Sequence, residues 1–154
     1  MGDWGTDSSY PASRNIDCGG FWPVVATGKF YEEYRLPAEL PEKVVEGHLI
    51  QAIIRVRKAL DAWRQTQVLA GYSALTEVPQ ETVDNKGEKE LLWERAVYCE
   101  AKAEILRESV TVDRKKDAEN AAKSAPETEE KYREFAADAM RTLVGEARIS
   151  IELL

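Results

Sequence analysis

Apolar residues recur at helical spacing three separate times along this chain, and no other sequence feature limits the fold as strongly. Val45, Leu49, Ile53, Val56, Leu60 and Trp63 follow one another at intervals of four and three. Side chains at those intervals stack on one face of an α-helix, because the helix turns once every 3.6 residues. Pro41 suits the first turn of such a helix, Glu42 suits its positive end, and Gly71 supplies a left-handed stop after Ala70. The spacing predicts one helix near 41–70, about 45 Å long at roughly 1.5 Å per residue. Ile50 and Ile54 widen the stripe and predict a second buried face. A helix of that length exceeds the width of a small domain, so it calls for a bundle or for a partner over its far end.

The second stripe is Leu92, Ala96, Cys99, Ala103, Leu106 and Val110, predicting a helix over about 88–110. Its small residues let a neighbouring helix approach closely. Glu94 and Arg95 read as a solvated flank carrying an ion pair. The third stripe is Tyr132, Phe135, Ala136, Ala139, Met140 and Leu143, opened by Pro126 and closed at Gly145. Residues 111–125 are charged and Ala-rich with a thin apolar face, predicting a weakly anchored helix or a loop. Residues 72–87 form a polar connection with a turn at Asp84-Asn85-Lys86-Gly87, pinned to the core by Leu75 and Val78.

The ends differ from this pattern. Residues 1–20 are rich in Gly, Ser, Asp and Asn and read as a flexible arm, in which Trp4 and Tyr10 suggest docking. Residues 21–36 read as extended, with aromatics that pack on a helix or on a neighbour, because Pro23 blocks a helix and restricts Trp22, and because strand-forming aromatics crowd the segment. The tail Arg148-Ile149-Ser150-Ile151-Glu152-Leu153 alternates apolar and polar, as a strand does. A lone strand is unstable, so it must pair with 21–36, with a sister copy or with another protein. The fold class is therefore all-α: a small bundle of three to four helices, with an extended N-terminal arm (1–20) on a helical domain (21–154) whose last residues (148–154) are a short strand-like docking tail.

The chemistry-bearing residues do not converge. His48 is the one histidine of the 154-residue chain and flanks the first stripe; a metal site needs several converging ligands. Glu100, Glu104 and Glu108 share a helix face, but a diiron site would add Glu-x-x-His pairs that no later helix supplies. These carboxylates are expected to pair with Lys102 and Arg107. There is no GxSxG, no Walker loop and no dinucleotide fingerprint. Cys18 and Cys99 form no CxxC pair and read as a small apolar residue and an incidental thiol. Trp63, Tyr72, Trp93 and Tyr98 could stack on single-stranded bases, but no basic groove accompanies them, so they read as core. The net charge of −7 disfavours tight duplex binding, while an acidic surface suits a conduit that must not grip DNA passing through it. No run reaches transmembrane length and no signal peptide is apparent, so a soluble, intracellularly made protein is expected. No enzyme, cofactor or metal is predicted.

The order of motifs resembles a known family. Phe21-Trp22-Pro23-Val24 leads into Phe30-Tyr31-Glu32-Glu33-Tyr34-Arg35-Leu36. A long helix ends in Ala70-Gly71-Tyr72, followed by Leu75-Thr76-Glu77-Val78-Pro79. Trp93-Glu94-Arg95-Ala96-Val97 lies on the second helix and Tyr132-Arg133-Glu134-Phe135 on the third. Over 21–154 this is similar to the gpL-type head completion and stabilisation proteins of contractile-tailed temperate phages. The resemblance implies a virion protein of the head–tail neck, made in the host cytoplasm. Such a protein forms a closed ring, a dodecamer by resemblance, beneath the portal protein. The ring holds the packaged genome, lets DNA pass without sequence-specific binding, and docks the next neck or tail-terminator protein. The residues expected to contact the portal or a neighbouring subunit are Phe21, Trp22, Phe30, Tyr31, Tyr34, Ile149, Ile151 and Leu153. The alternative is a non-viral cytosolic helical adaptor or scaffold that self-associates; the mixed spacing of threes and fours argues against a pure coiled coil.

Overall fold

The computed structural model describes residues 10–113 and 127–145, with side chains described to residue 109 in the first stretch. The expected flexible arm is partly incorrect: residues 10–20 are built into the fold. Strand β1 (Asn15–Ile16) pairs antiparallel with β2 (Val25–Ala26), setting Asn15 opposite Ala26 and Ile16 opposite Val25. Ile16 and Cys18 are buried, and the Tyr10 hydroxyl donates to the Leu36 carbonyl at 2.8 Å. The segment's polar composition hid two apolar anchors and an aromatic one.

Helix α1 (Thr27–Glu33) replaces the rest of the predicted extended stretch. Pro23 restrains only its immediate neighbours, so four residues later the chain is free to turn. Phe30, Tyr31 and Tyr34 then fall on one helical face. Thr27 anchors the start: its amide donates to Arg14 O, and its hydroxyl accepts from the Arg14 amide, both at 2.8 Å.

The first stripe forms α2 (Glu42–Ala59) and α3 (Asp61–Leu69), where one helix was expected. The break falls at Leu60, whose φ of −99° and ψ of 3° leave the helical region while its own side chain stays buried. The hydrogen-bond ladder crosses the break, from Leu60 N–H to Val56 O at 3.0 Å and from Arg64 N–H to Leu60 O at 2.9 Å. Gly71 ends the element with φ +104°, as its position predicts.

A short 3₁₀ turn (Leu75–Glu77) buries Leu75, and Val78 follows it into the core. The turn expected at 84–87 is a hairpin of β3 (Thr82–Val83) and β4 (Lys86–Gly87). Its two central residues, Asp84 and Asn85, both hold positive φ, 52° and 63°, as a type I′ connection requires.

Helix α4 (Glu88–Asp113) is the axis of the molecule. Helix α5 (Glu129–Val144) lies along one side of it and α2 along another. Helix α5 starts at Glu129, where the Thr128 hydroxyl accepts from the Lys131 amide at 3.2 Å, a side-chain cap. Pro126, the expected opener, lies outside the described residues. Gly145 ends the helix with φ +90°. The fold is thus mostly helical with two small two-stranded sheets, where a purely helical bundle was expected.

Candidate assembly surface

The described aromatic residues expected to face partners are, with one exception, interior residues. Trp22 stacks on Trp93 with ring centroids 4.5 Å apart and planes 15° from parallel, and Phe21 meets Trp22 edge-on at 4.9 Å. The Trp93 indole N–H donates to Pro23 O at 3.0 Å, satisfying the polar edge of a ring with no solvent exposure. Phe30 stacks on Tyr98 at 5.4 Å, and Tyr31 packs on Tyr10 at 5.0 Å. The Tyr98 hydroxyl accepts from Ala26 N–H at 3.0 Å and donates to Ala26 O at 2.8 Å, fastening the N-terminal segment to α4. Phe21, Trp22, Phe30 and Tyr31 are therefore spent on the protein's own core, which corrects their assignment to a docking surface. Tyr34 is partly buried, and its carbonyl accepts from the buried Lys102 ammonium at 2.8 Å. Ile149, Ile151 and Leu153 lie outside the described residues.

The acidic row of α4 has different partners from those expected. Glu100 is held by Arg55 at 3.0 Å and by Arg133 at 2.8 Å. Glu104 meets Arg133 at 2.9 Å, and Arg133 also reaches Glu129 at 2.8 Å. Glu108 pairs with His48 at 3.0 Å. Arg107 does reach Glu104 at 3.7 Å, but Lys102 turns to Tyr34 and, at 3.7 Å, to Glu127. These carboxylates bind α2 and α5 to α4. The hydrogen bond from Arg133 holds the Glu104 carboxyl below its ordinary range, and burial pulls the Lys102 ammonium down. Glu94 was read as a solvated flank; it lies mostly covered and pairs with Lys29 at 2.7 Å and Lys86 at 3.0 Å, while Arg95 covers the Phe135 ring at 5.0 Å. Burial pushes the Cys18 thiol up to about 11, far from a reactive thiolate. Among the described residues no cluster of His, Cys, Asp or Glu could hold a metal ion, and no helix is long and apolar enough to cross a membrane.

Most of the exposed large apolar side chains among the described residues lie elsewhere. Ile50 is 40% exposed, Ile54 47% and Leu69 88%, with Val44 and Val68 also open, all on α2 and α3. Ile50 and Ile54 were expected to be buried; α4 covers only the opposite side of α2, through Val45, Leu49, Ala52, Ile53 and Val56. Beside Ile54 runs an open groove of about 350 Å³, lined among the described residues by Ile54, Arg57, Lys58 and Asp61. Asp61 is occupied within it by Arg64 and Gln65, at 3.0 and 2.7 Å. The signal for this face was present in the widened stripe; what the spacing lacked was any statement of what covers it.

A family model for the phage head completion protein (GPL) matches residues 16–154. The chain belongs to that family. A similar relative is the probable head completion/stabilization protein of Haemophilus phage HP1, 27% identical over 139 residues, which is 90% of this chain and 91% of the relative. No solved structure matches significantly. Membership gives this head completion family member a structural role in the phage virion, and the non-viral scaffold reading finds no support beside it. The match begins at Ile16, the first buried residue of β1, so the matched region takes in part of the segment expected to be a variable arm.

Proposed function

We propose that copies of this chain close into a ring beneath the portal, seal the DNA-filled head and present a surface to the next neck or tail protein, with no catalytic step. The observation that carries the reading is the family match over 16–154. Two physical features support it. Apolar side chains on α2 and α3 are left exposed among the described residues, as expected for a subunit whose remaining contacts lie in an assembly. The net charge of −7 suits a ring that DNA traverses without being gripped. Within this reading the tail residues Ile149, Ile151 and Leu153 dock on the portal or an adjacent subunit, by adding a strand to an open edge.

The test is electron microscopy of the purified full-length protein alone and with the portal of its own phage. Annular particles seated on the portal are the expected result. A protein that stays monomeric beside both portal and packaged heads defeats the reading. A version truncated before Arg148 should remain folded and lose attachment to heads; normal attachment removes the tail from the proposal.

A further inference from the structure

A ring of identical subunits needs two different surfaces that fit each other, since each copy contacts its two neighbours through opposite faces. One candidate surface is the groove on α2 and α3. It combines an exposed apolar side chain, Ile54, with two cations, Arg57 and Lys58. Among the described residues neither cation has an ion-pair partner, whereas the groove's acid, Asp61, is tied to Arg64. The groove therefore presents two cations against one acid, Asp61, whose carboxyl is held down first by the Arg64 hydrogen bond and also by the nearby Arg57 charge, in a chain whose net charge is −7.

The β3–β4 hairpin has the complementary character. Residues 81–86 are all exposed, and Val83 offers a 55% exposed apolar side chain near the tip. Its acids, Glu81 and Asp84, have no cation partner among the described residues, while its one cation, Lys86, is tied to Glu94. The hairpin thus carries two uncompensated negative charges beside an apolar residue. Its base is firmly set. Glu88 N–H donates to Glu81 O at 2.8 Å, and Gly87 N–H donates to the Glu90 carboxylate at 3.2 Å. Gln80 bridges Leu75 O and the Lys89 amide at 2.8 and 2.7 Å. A two-stranded ladder has little stability of its own in water, so these anchors hold a projecting element in place. Its tip uses Asp84 at positive φ, where glycine would be less strained but would carry no charge.

We infer that the β3–β4 hairpin of one copy docks in the α2–α3 groove of the next, with Val83 against Ile54 and with Glu81 and Asp84 facing Arg57 and Lys58. The inference rests on the proposed ring and names the contact that joins its subunits. The contact is heterologous, joining two different patches, and so propagates from copy to copy as ring closure requires. Opposite charges set its orientation, and like charges would oppose it.

The test is a charge swap in the full-length protein, read by the mass of assembled species with portal present. The groove variant carries R57E and K58E; the hairpin variant carries E81K and D84K. All four positions are solvent-exposed, and each variant's melting temperature is compared with that of the natural chain to establish folding. Each variant alone should lose at least tenfold of the assembled fraction. Mixing the two should restore assembly, because each reversed groove then meets a reversed hairpin and each natural groove a natural hairpin. One chain carrying all four changes should likewise assemble. If the natural chain forms rings and either variant alone does so equally well, the hairpin–groove contact is wrong and the ring stands. Loss of assembly in the groove variant only, without rescue by mixing, means that the groove holds something other than the hairpin and also overturns the inference. A natural chain that assembles under no condition removes the ring itself.

Discussion

Helices α4 and α2 are the two longest in the molecule, and they meet their surroundings in opposite ways. Around its middle, α4 is buried on every side: Ala96, Val97, Tyr98, Cys99, Ala101, Lys102 and Ala103 are all enclosed. Small residues let helices approach closely there, while the flanking Trp93 and Tyr98 reach out to the N-terminal segment. Helix α2 is buried along one stripe and leaves Ile50 and Ile54 in solvent. The difference shows that the middle of one helix is fully covered by the fold, while the other keeps apolar surface open. A core helix serves the monomer; a one-sided helix with apolar residues on its outer flank is suited to serve an assembly.

The sharpest way to break this comparison is at the aromatic junction. Trp93→Ala removes the ring stacked on Trp22 and should cost about 3–5 kcal/mol, through lost burial and the cavity left behind. Urea unfolding at neutral pH checks it, and a loss below about 1 kcal/mol would mean that the junction is looser than its stacking suggests. Next in size is Ala101→Leu, which inserts volume where α4 has no exposed side. It should destabilise by about 1–3 kcal/mol, measured as a lowered unfolding midpoint.

A smaller effect tests the ionic contact between α4 and α5. Arg133 is about one-third exposed, so its replacement by methionine should cost only about 1 kcal/mol at neutral pH after allowance for solvent screening. The pH dependence is more telling. The Glu104 carboxyl has a lowered folded-state pKa, caused first by the Arg133 hydrogen bond. Its stabilisation is therefore complete above the ordinary carboxylate value near 4.5 and disappears as pH falls through the depressed folded value. The natural chain should lose stability on acidification through that window, and Arg133→Met should lose less over the same range; parallel acid limbs for the two proteins would contradict this. The smallest stability effect belongs to α2's open face. Ile54→Ser should change unfolding free energy by less than about 1 kcal/mol, because about half of the side chain is already in water. A large loss would show that this face is covered within the single chain.

The parts of the fold that could be read from sequence are those with a short-range cause. The stripes beginning at Val45, Leu92 and Tyr132 each became helix, and Gly71 and Gly145 ended elements at positive φ as placed. Leu75 and Val78 pinned their loop as expected. The N-terminal third was the least legible. Ile16 and Cys18 sit among polar residues that suggested a free arm, and Phe30, Tyr31 and Tyr34 fit a strand's composition as well as a helix's spacing. Their burial comes from the far-off Tyr98 and Trp93, a relation absent from any local window.

The same division holds for the candidate site. Aromatic residues signalled that surface would be buried, the pattern left a helix or a neighbour as the cover, and the docking assignment chose the neighbour; the fold directed the burial inward. Ile50 and Ile54 signalled burial too, and the fold left them outside. Taken alone, the sequence determined roughly where the three striped regions are helical, that Gly71 and Gly145 stop them and that the chain resembles head completion proteins, because hydrogen-bond periodicity and end-capping act over a few residues. Only the tertiary structure decided which apolar faces are covered, which cations neutralise the α4 carboxylates and which charges remain unanswered. Burial and ion pairing depend on surfaces that are distant in the chain and meet only when the helices pack.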